Sequence, residues 1–412
     1  MLCDRGGVSS SMLLLGREMA KRGIDSEYWF CKASSRFPDF LETGRATLAP
    51  LSKLAARLER GDFDVVQMTA SDPAAEVVAM MARSAKVLVS ARGALADIWD
   101  KHNCFAYSAI SQGMATVNQP YTDVEIEVVH NAIDVERFTP GAATAGDGPI
   151  VAFVARSSDP IKDFPRFTRI AKRLAQRGAR IWIADPHNAG WAHFEGRPVE
   201  QIEPERWGPV SQADMPDFYR AVAASGGVVL MTSRTEGFGN VAPEAAACGA
   251  WVVAPDVMGL NEAVIDGITG NLFPAAASDD EAAEMIAGWM SAPRDPDACS
   301  LAAREAFAPA AMMDGYERIY NRREQRLVTP PPRPAADPSL SHLYEHLEKQ
   351  CGWRAAAARE AAVGLAADGY SNLALGALGI AFRAKPRQFL SPTGLRQLVS
   401  TVRRIPTRRA GQ

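Results

Sequence analysis

The chain has 412 residues, 47% of them hydrophobic, which is enough for two cores and an appendage. A net charge of −3 excludes a chain-wide basic surface of the nucleic-acid-binding kind. The six cysteines (Cys3, Cys31, Cys104, Cys248, Cys299, Cys351) are scattered without a C-x-x-C pair, which fits a reducing cytoplasm better than a disulfide framework.

The opening, Met1 to Arg5, is short for a first strand. Gly6 and Gly7 follow, then Ser9 to Ser11 as capping candidates, then a helix to Gly23. A glycine pair before a helix N-terminus makes an anion-friendly turn, although a plain turn explains it too. Tyr28–Cys31, Val65–Thr69 and Lys86–Ser90 read as strands, with helices around 50–60 and 74–84. This alternation predicts a doubly wound parallel sheet. Arg92 follows the third strand, where such sheets bind ligands, and is compatible with a ligand contact or a surface turn. His102 reads as a solvated or structural histidine. Cys104 to Glu127 is short for the remaining βα units, so the first domain is expected to be small. Gly141 to Pro149 reads as a flexible linker.

A second alternating half begins with Ile150–Ala155, followed by Arg156 and Lys162. Two cations at the C-terminal end of a strand can neutralise a diphosphate. Arg180–Ala184 is the next strand. The most informative stretch runs from Gly227 to Gly249. An apolar strand, Val228–Met231, leads into a polar loop with Gly237 and Gly239. A helix follows, with Pro243 in its first turn and Gly249 at its end. Strand, glycine loop and helix in that order favour a bound phosphate. Glu236 falls on the loop and Glu244 about one turn into the helix. A carboxylate beside a phosphate needs donors to accept from, and sugar and ribose hydroxyls are such donors. The bland alternative is an ordinary βα unit with two solvated glutamates. Trp251–Ala254 is another strand, and glycines at 259, 267 and 270 suit tight turns.

Val328 to Asp337 is proline-rich and reads as a stiff linker. Residues 339–363 read as helix. From Gly369 to Gln412 there is no acidic residue, while arginines alternate with apolar side chains. Such a tail suits an anionic membrane surface; a helix packed on the protein or a disordered basic end fits it as well. Asp295-Pro296-Asp297 is formally D-x-D but lies between prolines and reads as a loop. His342 and His346 share a helix face without a third metal ligand. No signal peptide opens the chain, and no apolar run approaches a membrane span.

The glutamate pair around Gly237-Phe238-Gly239 resembles the donor site of retaining GT-B glycosyltransferases, glycosyltransferase family 4. Val128 to Pro140 is similar to that family's interdomain stretch, V-x-P-N-G-[VI]-D-x-x-x-F-x-P, with His130 and Ala132 where Pro and Gly are usual. Trp207-Gly208-Pro209-Val210 resembles the loop against the nucleotide base. Gly259 to Glu262 and Asp266 to Gly270 resemble the G-x-x-E and D-G-x-x-G turns. After Ala184 the family often has G-x-G, where this chain has Asp185-Pro186. The likeness covers about 1–325 and is strongest over 128–275.

The resemblance implies an α/β GT-B fold, two Rossmann-like doubly wound parallel-sheet domains facing a cleft; the C-terminal helical tail expected after them lies outside the resemblance. Expected boundaries are 1–140 for the acceptor-side domain and 141–327 for the donor domain, with 310–327 crossing back. The linker 328–338 and the basic tail 339–412 follow. It implies Glu236, Arg156 and Lys162 as catalytic groups. It implies donor contacts from Gly6, Gly7, Arg92, Val210, Gly237, Phe238, Gly239, Asn240, Val241 and Glu244. No metal or cofactor is expected. The expected partners are a nucleotide sugar and a glycan or lipid-linked acceptor, with no nucleic acid and with peripheral membrane contact through 369–412. A cytoplasmic location, reaching the inner face of the membrane, follows. The alternatives are a nucleotide-sugar-binding protein without transferase activity, and an epimerase or phosphorylase on the same fold.

Overall fold

The computed structural model describes residues 7–30, 37–43, 45–69, 77–78, 81–82, 85–91, 104–144, 146–196, 199–332, 355–356, 358–368 and 370–384. Gly6, Arg92, His102, His342, His346 and the basic end beyond 384 lie outside the described residues.

The chain divides into two compact units, one of Met1–Val129 with Met313–Gln412 and one of His130–Met312. In the first, β1 (Tyr28–Phe30) and β2 (Ala46–Leu48) form a parallel pair. A second parallel sheet runs in the order β3 (Val65–Thr69), β4 (Lys86–Ala91), β5 (Cys104–Ala109), β6 (Ile126–Val128). The last two strands and the helix Gln112–Asn118 between them fill the stretch expected to be short. Strand β4 reads Lys-Val-Leu-Val-Ser-Ala and is buried from Val87 onward, as a parallel strand covered on both faces must be. The one polar side chain of its buried part, Ser90, meets Ser108 Oγ on β5 at 2.8 Å, so no lone hydroxyl is buried there. The helix Gly7–Lys21 buries Met12, Leu13, Leu14 and Leu15.

The C-terminal helix Ser371–Ala384 buries Leu373, Ala374, Ala377, Leu378 and Ala381, a stripe at helical spacing. None of the helices among the described residues is long and apolar enough to cross a membrane.

The second unit carries a six-stranded parallel sheet, to which β7 (Ile150–Val154), β8 (Arg180–Ala184), β9 (Arg206–Gly208), β10 (Val228–Leu230), β11 (Trp251–Pro255) and β12 (Gly270–Phe273) contribute. Their spatial order is β12-β11-β10-β7-β8-β9. The order reverses between β7 and β10, whose C-terminal ends are where such sheets hold ligands. The core is aromatic. Phe153 on β7 packs at 5.1 Å from Phe164 and 4.8 Å from Phe167 on the helix Phe164–Ala175. Phe164, Phe167, Ile170, Ala171 and Leu174 all face inward at helical spacing. Asp163 starts this helix, accepting from the Arg166 N–H, with Pro165 in the first turn where a missing donor costs nothing.

The second unit begins at His130, before the expected Gly141. The physical reason lies in the packing of the preceding stretch. Asn131, Ala132, Ile133 and Phe138 are buried, and the Ile133 N–H donates to Phe307 O at 3.0 Å. The Arg220 guanidinium, on the helix Met215–Ala224, donates to Thr139 O at 2.8 Å and Thr139 Oγ1 at 2.9 Å.

Candidate active site

The site is built on the loops after β7 and β10. Beyond β7, Arg156 is about half exposed, and its Nη2 donates to Asp159 Oδ2 at 2.7 Å. A single 3-10 turn, Pro160–Lys162, then aims Lys162 across the sheet, and Asp159 caps it by accepting from the Ile161 N–H. Thr232, the first polar residue after β10, locks the two loops together. Its hydroxyl donates to Lys162 O at 2.9 Å and Asp163 O at 3.1 Å. Arg234 adds a backbone bond to Ile161 O at 2.9 Å and a side-chain bond to Asp163 Oδ2 at 3.0 Å.

These contacts bring Lys162 and Glu236 together. Lys162 Nζ donates to Glu236 Oε1 at 2.5 Å, and Ser233 Oγ donates to the same oxygen at 2.7 Å. Both charged side chains are mostly shielded, so this pair feels less solvent screening than a surface ion pair. The Glu236 N–H donates to Met258 O at 3.0 Å. Gly259 takes φ +84°, and a Cβ there would overlap the Glu236 carbonyl oxygen. The glycine of the G-x-x-E turn therefore does more than make a turn: it leaves the space in which the Glu236 backbone lies. Gly239 also has a positive φ, +91°, and a Cβ there would meet Leu260 Cδ2 at 2.7 Å.

The helix Val241–Ala247 carries Glu244 in its first turn. Some of the Glu244 surface reaches solvent, yet protein packs densely around the carboxyl and pushes it up to about 8. Burial is the main cause; Arg137 pulls the value down and Asp134 pushes it up. Tyr219, fully buried, has its hydroxyl raised by burial and then by the proximity of Glu244. Asn240 does not cap the helix with its side chain. Its Oδ1 instead accepts from Asn131 Nδ2 at 3.0 Å.

Phe238 was grouped with the donor contacts, but its ring is buried, stacked on His130 at 5.3 Å and edge-on to Phe307 at 5.5 Å. Any ligand contact of this residue is left to its backbone. Gly7 opens the first helix of the other unit. Val210 lies just beyond β9, partly exposed, next to the pair Trp191–Trp207, whose ring centroids are 4.8 Å apart.

Asp185, where the family often has glycine, is fully buried and accepts from Ser157 Oγ at 2.6 Å, the His187 N–H at 3.0 Å and the Ala189 N–H at 3.1 Å. Burial works to raise its pKa, but these donors outweigh it and hold the carboxyl below its usual range. Its carboxylate thus ties the loop after β7 to the loop after β8. Asn188 in that turn adopts φ 47°, which asparagine tolerates better than most residues. Asp295 of the D-x-D run caps the helix Pro296–Ala306, accepting from the Asp297 and Ala298 N–H groups at 3.0 Å. The run is thus a helix start rather than the loop expected.

Ser233, Thr232, Asp163, Asn131 and Asp185 were not singled out by sequence as site residues. The available signal was the Thr232-Ser233 pair placed directly after a buried apolar strand.

Two parallel-sheet units, the second with a glutamate loop and a cation on adjacent strand ends, have the architecture of the GT-B fold. Residues 206–306 match the family described as Glycosyl transferases group 1. D-inositol 3-phosphate glycosyltransferase of Kribbella flavida is 34% identical over 184 residues, covering 40% of this chain and 42% of the relative. The protein of that name from Mycolicibacterium smegmatis is 34% identical over 229 residues, covering 51% of this chain and 50% of the relative. The chain thus spans about half the length of the curated relatives it matches. Among solved structures, Anabaena HepE in complex with UDP-glucose aligns at TM-score 0.61 and 17% identity over 77% of this chain and 97% of that one. A Rickettsia africae glycosyltransferase aligns at TM-score 0.63 and 16% identity, over 77% of this chain and 94% of that one.

Proposed function

We propose that the protein is a retaining, metal-independent glycosyltransferase that moves a hexose from a nucleotide diphosphate sugar to a glycan or lipid-linked acceptor. The observation that carries the reading is the Lys162–Glu236 contact at the ligand-binding ends of β7 and β10, with Glu244 one helical turn beyond. As the glycosidic bond breaks, negative charge grows on the leaving diphosphate. Lys162 and Arg156 stabilise that charge, and each is held in reach of it by a carboxylate partner, Glu236 and Asp159. Glu236 holds sugar hydroxyls and faces the positive charge that develops at the anomeric carbon. Glu244 meets the ribose hydroxyls. A donor phosphate oxygen takes the acceptor's proton, so the reaction needs no separate side-chain base. UDP-glucose, present in the Anabaena structure, is the natural first donor to try. The basic residues of 369–412 are proposed to rest on anionic lipid, which suits a lipid-linked acceptor.

The test is calorimetric binding of UDP, GDP and ADP, in chelator, to the wild type and to Glu244→Ala. The expected result is metal-free binding of one nucleotide and a loss of about tenfold or more in the variant. No binding, or binding that needs a divalent ion and ignores Glu244→Ala, would overturn the reading. Turnover of the matching sugar panel then separates a transferase from a binding protein.

A further inference from the structure

We infer that His130 is a positioning residue for Glu236, clamping both flanks of the donor loop; the inference rests on the donor-site reading proposed above. His130 stands where the family usually has proline, and it makes two contacts that proline cannot. Its ring lies over the Phe238 ring, centroids 5.3 Å apart and planes 25° from parallel. Its Nε2 N–H donates to Glu262 Oε2 at 3.0 Å. These two partners belong to the two walls around Glu236.

Phe238 is two residues past Glu236 on the loop itself. It is buried, meets the Phe307 ring edge-on, and shares the loop with Gly239 at positive φ. Glu262 sits on the short helix Leu260–Ala263. The turn just before that helix receives the Glu236 backbone, through the bond from the Glu236 N–H to Met258 O at 3.0 Å and through the gap left by Gly259. One imidazole therefore fastens the loop wall to the supporting wall. The neighbouring Asn131–Asn240 bond of 3.0 Å fixes the far end of the same loop. The Glu236 carboxylate is set against Lys162 and Ser233 from a third side. Removing His130 leaves those contacts but frees the backbone from which Glu236 projects.

A clamp on Glu236 acts on the sugar, whereas the nucleotide is assigned to other residues. The readout is therefore the sugar increment: affinity for the sugar nucleotide divided by affinity for the bare nucleotide. It is measured calorimetrically with UDP and UDP-glucose, GDP and GDP-mannose, and ADP and ADP-glucose on the full chain. Glu236→Ala sets the value for complete loss. In His130→Ala the increment is expected to fall by about tenfold, with affinity for the bare nucleotide within about threefold of wild type. His130→Gln keeps an N–H for Glu262 and a planar group over Phe238, and is expected to recover most of the loss. If His130→Ala does not fold, Glu262→Ala opens the clamp from the other wall and carries the same expectation.

An unchanged increment in a folded His130→Ala protein overturns the inference and leaves the donor site standing. So does an equal loss for nucleotide and sugar nucleotide, the mark of a general structural role. A wild type that binds a nucleotide but gains nothing from its sugar overturns it too. A wild type that binds none of the six compounds overturns the donor-site reading, and the inference falls with it.

Discussion

Glu244 and Asp185 are both carboxyls inside the second unit, and their surroundings drive them in opposite directions. Glu244 has few compensating donors, and burial pushes it up to about 8 from an ordinary 4.5. A raised folded-state value means that the folded protein holds a proton the unfolded chain has released. The stability this gives is fully present below about pH 4.5 and is lost as the pH rises through about 8. Thermal melts of Glu244→Gln should therefore show a shallower fall in Tm between pH 6 and pH 9 than the wild type; parallel curves would show that the carboxyl ionises freely. Asp185 behaves in reverse. Its folded value is depressed, so its contribution is present above about pH 3.8 and lost as the pH falls through the lower folded value. Asp185→Asn should cost about 1–3 kcal/mol in denaturant titrations at pH 7, because donors aimed at an anion then face an amide. The loss should shrink towards pH 3.

At the scale of the element, the strand, loop and helix from Val228 to Ala247 show what sequence reasoning reaches. The apolar run, the positions of Glu236 and Glu244 and the cations after β7 were legible because parallel strands and glycine loops leave strong local marks. What stayed hidden was pairing at long range. Nothing local in Asp185-Pro186 says that this carboxylate will accept from Ser157. Nothing near His130 says that it will meet Glu262. Gly259 illustrates the same limit, since its turn was expected but its role as the space beneath Glu236 was not. Gly259→Ala must strain a positive φ and push on the Glu236 backbone. It should destabilise by about 1 kcal/mol or more and weaken sugar-nucleotide binding beyond the nucleotide alone, as denaturant curves and calorimetry would show.

For the whole molecule, the division into a discontinuous and a continuous unit has thermodynamic consequences. Each unit has its own parallel sheet and its own buried core. Scanning calorimetry should resolve more than one transition. The Glu236 loop belongs entirely to the continuous unit, so on the proposed donor-site reading a nucleotide at about 100 times its Kd should stabilise that unit by about 2.7 kcal/mol. The other transition should stay nearly fixed; an equal shift of both would mean that the two units unfold as one. The small residues after the expected boundary at 140 carry no local mark of the anchoring of Thr139 by Arg220.

The perpendicular indoles Trp191 and Trp207 give the molecule an optical property. They lie beside the Gly208-Pro209-Val210 segment, and both pack near Phe164, at 6.2 Å and 5.5 Å. On the proposed donor-site reading, a nucleobase against that segment would come within stacking range of Trp207. Intrinsic fluorescence should therefore be quenched when the nucleotide binds, and Trp207→Phe should abolish most of the change while leaving the calorimetric signal. The protein would then carry its own dye, and donor specificity could be screened in a plate reader before any acceptor is known.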